Sequence, residues 1–202
     1  GYMGYVIKEY FVNMNYHNSD IQIDLKTKKI ELSEKKNFNW KINLIDTGEF
    51  TMTGGRLKKI KEYLDDDDFI FTYGDGLSNV NVSNLVKFHK SHKKLATVTA
   101  VKPLGRYGAI EIDNQSNVKK FSEKPKGDVG WINGGYFVLN PKCIDLIEED
   151  ATFWEREPLN NLVKENQLMA FKHEGFWHAV DTMRDKITLE DAFIKSGKYP
   201  WT

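Results

Sequence analysis

The chain has 202 residues, 40% hydrophobic and 29% charged, with 29 basic and 29 acidic side chains and a formal net charge of zero. That length suits one domain whose core removes roughly 70% of the unfolded surface from water, and the charge balance gives no electrostatic ground for nucleic acid as a main partner. A single cysteine, Cys143, excludes an intrachain disulfide; with no bilayer-length apolar run and no signal-peptide pattern, the expectation is a cytoplasmic protein with no membrane partner.

The opening "GYMGYVIKEYF" carries apolar residues at Tyr2, Val6 and Tyr10 and at Met3, Ile7 and Phe11. This is a helical spacing with no strand before it, as in the middle of a domain. After Met14 to Asn18, Ile21, Ile23 and Leu25 alternate with polar residues, as do Ile30 and Leu32, which predicts a two-stranded hairpin with one wet face. "NWKINLIDTG" predicts a further strand, and residues 20–45 together form an added segment. "TGGRLKKIKEYL" predicts a helix capped by Thr53, with Leu57, Ile60 and Leu64 on one stripe. Asp65 to Asp68 reads as a solvated loop. Phe69 to Thr72 reads as a strand buried on both faces, "VSNLVKFHKSH" as a helix capped at Ser83, and "LATVTAVKP" as a β-branched strand. "GAIEID" and "NVKKFSEKP" form a pair, "WINGGYFVLN" is a strand ending at Pro141, and "EPLNNLVKEN" is a helix around Pro158. The helical reading extends back over "WEREPLNNLVKEN", with Pro158 as a break or a helix start; "LMAFKH" is a short strand, and a last helix starts near Asp181 or Thr182 and ends near Gly197. Strands alternating with helices predict an α/β domain with a mixed, mostly parallel sheet.

Five places set small residues beside one polar group at an element end. In "FIFTYGDG", Asp75 follows a strand between Gly74 and Gly76, where ligands of open α/β sheets lie. A lone carboxylate there suits magnesium when phosphates supply the other oxygens, and an Asp-Gly turn is the other reading. "TMTGGR" places Arg56 in a helix N-terminus that favours phosphate or a base edge, with an ordinary helix start as the alternative. "SEKP" sets Glu123 and Lys124 at a strand end, as phosphate contact or exposed pair. "INGG" puts Asn133 beside two glycines inside a strand, a mark of close backbone approach. "FWHAVDT" offers a second lone acid, Asp181, as ligand or N-cap. Together they point to a pocket for a phosphorylated ligand and a metal. His89 and His92 lie three apart on a helix but have no evident third ligand, Cys143 reads as buried packing, and His178 as pocket lining.

In this order "TMTGGRLKKI", "FTYGDG", "GRYGAI", "FSEKPKGD", "INGGYFVLNP" and "GFWHAVDTMRDK" resemble the sugar-phosphate nucleotidyltransferases, over essentially the whole chain. "DTGEFTMTGGRLKK" and "GFWHAVDTMRDK" are similar to the branch that joins CTP to glucose 1-phosphate. The resemblance implies a Rossmann-like, GT-A-like domain over residues 1–202. It implies a magnesium cofactor held by Asp75 and Asp181, and Lys124 on the phosphate of the sugar phosphate. It further implies nucleotide contacts from Thr51, Arg56 and Gly74, sugar contacts from Glu123 and Asn133, and Gly108 lining the sugar pocket. The partners it implies are CTP, glucose 1-phosphate and further copies of the chain, paired through the hairpin of residues 20–45. The family's glycine-rich triphosphate loop, of the form GGxGTR, does not occur among the 202 residues. The expectation is an N-terminally incomplete domain that keeps sugar and metal residues and binds CTP poorly by itself. UTP, dTTP or GTP in place of CTP is the nearest rival, and a non-catalytic sugar-nucleotide sensor the next. Asp75, Lys124 and Asp181 together argue against the sensor, since a pure binder needs no second metal carboxylate.

Overall fold

The computed structural model describes residues 1–34, 39–103, 109–112, 118–122 and 130–201. Helices α1 (Gly4–Val12) and α2 (Met14–Asn18) lead into the hairpin of β1 (Ser19–Asp24) and β2 (Lys29–Glu34), in which Ile21 faces Leu32 and Ile23 faces Ile30. The predicted strand at residues 39–48 does not form. Trp40 is 65% exposed, and no described strand offers this stretch a ladder, without which its backbone gains nothing from extending.

The main sheet holds β3 (Phe69–Thr72), β8 (Ile132–Leu139), β5 (Ala96–Val101) and β9 (Leu168–His173), in that order. β3, β5 and β9 run one way, but β8 runs against them and lies between β3 and β5. Three strands therefore share a direction, as the mixed α/β expectation requires, while only the β5–β9 pairing is parallel among the described residues. The prediction that β3 is buried on both faces fails, because Ile70 is 47% exposed on an edge strand that no described element covers. Two smaller ladders accompany the sheet: β6 (Ala109–Ile112) with β7 (Val118–Ser122), and β4 (Gly76–Ser78) with β10 (Trp177–Ala179), both antiparallel.

Helix α3 (Thr53–Lys59), a 3-10 turn at Pro141–Leu146 and helix α5 (Glu157–Lys164) close one face of the sheet over Leu57, Phe137, Leu139, Ile144, Trp154 and Leu162, all fully or nearly fully buried. Rings of Phe71, Phe137 and Trp154 meet at centroid distances of 5.7–6.3 Å, a geometry that adds to their burial. Helix α4 (Val82–His92) sends Leu85 and His89 inward. Its cap is Asn81, whose carboxamide oxygen accepts from the Asn84 N–H, rather than Ser83. Helix α6 (Met183–Ser196) starts on a capping box between Thr182 and Asp185 and ends at Gly197 in the left-handed region. No described helix is long and apolar enough to cross a membrane.

Candidate functional site

Asp75 and Asp181 lie 106 positions apart, and the β4–β10 ladder makes them neighbours. Gly76 pairs with Ala179, and the Val180 N–H donates to the Asp75 carbonyl at 2.8 Å. This bond extends the ladder by one pair, Asp75 with Val180, and leaves Asp181 one residue further along, beyond the carboxyl end of β3. Both are exposed. Capping of α6 falls to Thr182, so that role does not account for Asp181. No described group of three or more His, Cys, Asp or Glu could hold a metal. A two-carboxylate edge still fits magnesium, which takes one or two protein carboxylates and completes its octahedron with water and substrate phosphate.

Beside this edge a cleft of about 510 Å³ is lined by Thr53, Arg56, Phe71, Tyr73, Gly74, Asp75 and Glu155. A Cβ on Gly74 would meet nothing within 4 Å, so the backbone there is open to a ligand. Glu155, which the sequence did not single out, organises the wall: it accepts from the Tyr73 hydroxyl on one oxygen and from the Thr53 hydroxyl at 2.6 Å on the other. Burial and the neighbouring Glu155 carboxylate push the Tyr73 phenol well above its ordinary pKa, so it stays a donor. Asn133 reaches the same hydroxyl at 3.3 Å. A bulge turns it that way: three residues of β8, 134 to 136, oppose the single Thr99 of β5, and Gly135 adopts φ +76°. The glycines of "INGG" meet Thr99 and Tyr73 as the close-approach reading expects, whereas the Glu155 contacts depend on distant segments and no local pattern foretells them.

Thr53 is the first residue of α3 rather than its cap. Its hydroxyl, besides donating to Glu155, accepts from the Trp154 N–H at 3.0 Å. The Gly54–Gly55 pair serves packing: side chains there would strike the backbone of Thr152 and Asp150. Arg56 lines the cleft, yet its guanidinium donates to the Thr47 hydroxyl at 2.6 Å and to the carbonyls of Gly48 and Glu49. Thr51 is 6% exposed and its hydroxyl accepts from Lys59, so both residues brace the 47–51 loop. Glu123, Lys124 and Gly108 lie outside the described residues.

The reading of Asp68 as part of a solvated run is replaced: it accepts from Asn140 Nδ2 at 2.9 Å and faces His89. His89 and His92 point to one hydroxyl, that of Thr97, at 2.8 and 2.7 Å, instead of toward a metal. His178 Nε2 sits 3.5 Å from Asp185, has no hydrogen-bond partner, and is buried beside the acid edge. Cys143 is buried as expected, its thiol pushed up to about 12 by burial.

A mixed sheet with two acids beyond its carboxyl edge and a cleft beside them is the layout of an enzyme that handles phosphates. The nucleotidyl transferase family model matches residues 4–195, and the chain belongs to this family. It is 52% identical over all 202 residues to a glucose-1-phosphate cytidylyltransferase of Salmonella typhimurium and spans 78% of that protein. A mannose-1-phosphate guanyltransferase of Saccharomyces cerevisiae is 36% identical over 151 residues, 71% of this chain and 42% of that one. Among solved structures, HddC from Yersinia pseudotuberculosis superposes with a TM-score of 0.52 at 25% identity. That superposition covers 72% of this chain and 64% of that one, less than two thirds of its length.

Proposed function

We propose that the protein transfers a cytidylyl group from CTP to α-D-glucose 1-phosphate, releasing pyrophosphate and forming CDP-glucose. The observation that carries the reading is the β4–β10 ladder, which sets Asp75 opposite Val180 and so brings Asp181, the next residue, to the same end of the sheet beside an open glycine. The similarity to the Salmonella cytidylyltransferase supports the choice of base and sugar. A phosphate oxygen of glucose 1-phosphate attacks the α-phosphorus of CTP. The new P–O bond forms as the bond to the β-phosphate oxygen breaks, in line, and pyrophosphate carries the electron pair away. The attacking group is already a dianion near neutral pH, since a monoester's second pKa is about 6, so no general base is required. The work left to the protein is to bring two polyanions together and align them. Asp75 and Asp181 would hold a magnesium ion, which when bound screens phosphate charge and orients the α-phosphorus. Lys124 would neutralise the sugar's phosphate, Asn133 and Glu123 would take sugar hydroxyls, and Gly108 would line the sugar pocket. Gly74 lets the nucleotide approach, while Arg56 and Thr51 present the 47–51 loop to it.

Pyrophosphate release is measured with glucose 1-phosphate, magnesium and each of CTP, UTP, dTTP and GTP, with Asp75→Asn as control. Whatever release occurs is expected with CTP in preference to the others and is reduced at least about a hundredfold in the control. Preferential release with another triphosphate overturns the choice of CTP.

A further inference from the structure

Glu155 is exposed, yet both of its oxygens are held by hydroxyl groups from distant parts of the chain. One accepts from Tyr73, 82 positions away, and the other from Thr53, 102 positions away. An exposed carboxylate ordinarily keeps its water, because a surface bond gains little over the solvent bonds it replaces. Here the hydroxyls are already committed. The Thr53 oxygen accepts from the Trp154 N–H at 3.0 Å, and its one proton goes to Glu155. The Tyr73 oxygen accepts from Asn133 Nδ2 at 3.3 Å, and its one proton goes to Glu155 as well. Bonds to a carboxylate are stronger than bonds between neutral groups. Each hydroxyl belongs to a different wall of the cleft. Thr53 opens α3, which carries Arg56. Tyr73 follows β3, and its N–H donates to the Gly135 carbonyl at 3.0 Å, one rung beyond the β3–β8 register. Two residues on, the Asp75 carbonyl takes the Val180 N–H. Gly74, between them, has no side chain to hold, so the Tyr73 phenol is the side-chain anchor next to that turn.

We propose that Glu155 is a positioning residue: its carboxylate ties the start of α3 to the strand end that carries Asp75, and so fixes the acid edge against the cleft. It acts through Tyr73 and Thr53 and touches no reacting atom. Its consequence for metal binding rests on the function proposed above; the anchoring itself does not. A side chain of the same size is not enough. Glu155→Gln replaces one oxygen by an NH2 group, which has protons to give and no lone pair to offer. Turned to Tyr73, that group leaves the phenol facing two donors with no acceptor for its own proton. Turned to Thr53, it does the same there, because the Trp154 N–H already occupies that oxygen. Tyr73→Phe opens the Tyr73 arm and leaves the Thr53 arm closed.

Amide hydrogen exchange followed by NMR, on the protein and on both variants, tests this. The Val180 N–H, bonded to Asp75, reports the acid edge; the Ala96 N–H, bonded to the Gln167 carbonyl at 3.0 Å in the core, reports the fold as a whole. Val180 is expected to exchange at least about tenfold faster in both variants, with Ala96 within about twofold of the unchanged protein. A smaller acceleration at Val180 in Glu155→Gln overturns the anchor. Equal acceleration of Val180 and Ala96 also overturns it, because Glu155 then serves only the stability of the whole domain. Acceleration in Glu155→Gln without Tyr73→Phe overturns the route through Tyr73. Manganese titrated in the presence of CTP, followed by electron paramagnetic resonance, adds a functional readout, with binding at least about tenfold weaker in both variants. Manganese bound equally by all three proteins overturns the consequence for metal binding. An unchanged protein that binds no manganese counts against the proposed function, and the Val180 exchange then still decides the anchor.

Discussion

Removing the hydroxyl of Thr97 tests a buried polar chain that joins α4, β5 and the acidic loop before β3. The Lys94 N–H donates to His92 Nδ1 at 3.0 Å, so the neutral His92 ring carries its proton on Nε2. That nitrogen donates to Thr97 Oγ1, and the Thr97 hydroxyl in turn donates to His89 Nδ1. His89 then carries its proton on Nε2, which faces Asp68 Oδ2 at 3.5 Å, long for a hydrogen bond but close enough for charge attraction. In Thr97→Val the shape is kept and the Nδ1 of His89, 2% exposed, loses the one donor it has among the described residues. An unsatisfied buried group of this kind costs about 1–3 kcal/mol, and the part-buried His92 loses a bond worth about 0.5–1.5 kcal/mol. The sum, about 1.5–4.5 kcal/mol, lowers the melting temperature by roughly 3–18 °C for a domain of this size. Circular dichroism under urea and heat measures both quantities, with Thr97→Ser as the variant that keeps the hydroxyl. The same chain sets a pH dependence. Burial, the largest cause for both, holds His89 and His92 below the ordinary imidazole pKa; Asp68 partly offsets this at His89, and the charges of His89 and Lys94 add to it at His92. The unfolded chain titrates near about 6.5 and binds more protons below that value, so this contribution is complete above about pH 6.5 and is lost as the pH falls toward the folded-state values. A Thr97→Val cost under about 0.5 kcal/mol, or stability that stays flat between about pH 7.5 and 5.5, refutes the chain.

Two further outcomes follow from the geometry. Gly135→Ala must hold φ +76° and place a Cβ 2.8 Å from the Tyr73 ring, so it is expected to cost about 1–3 kcal/mol in urea unfolding and to weaken the Tyr73–Glu155–Asn133 wall; a change under about 0.5 kcal/mol would show that the bulge adapts freely. Ile21, Ile23, Ile30 and Leu32 are 39–57% exposed on the β1–β2 hairpin, which is expected to pair with a second copy of the chain; light scattering that shows more than one copy, reduced to one by Ile23→Lys, fits this, and a strict monomer at all concentrations removes it.

What could be read from the residues was local. Alternation at Ile21, Ile23, Ile30 and Leu32 places the hairpin, β-branched residues place β5, Pro141 and Pro158 open their turns, and the position of Asp75 after a short apolar run marks a strand end. Each signal depends on the residue's own neighbours, as does the capping box at Thr182. The same locality explains the misses. "NWKINLIDTG" alternates like a strand but finds no ladder, and Asp68 reads as part of a solvated run until Asn140 and His89 meet it. Tertiary structure alone brings Asp181 beside Asp75, sets Glu155 against Tyr73 and draws Asp68 to His89. These contacts span tens of residues or more, and only sheet register, a property of paired strands rather than of any one segment, decides which side chains meet.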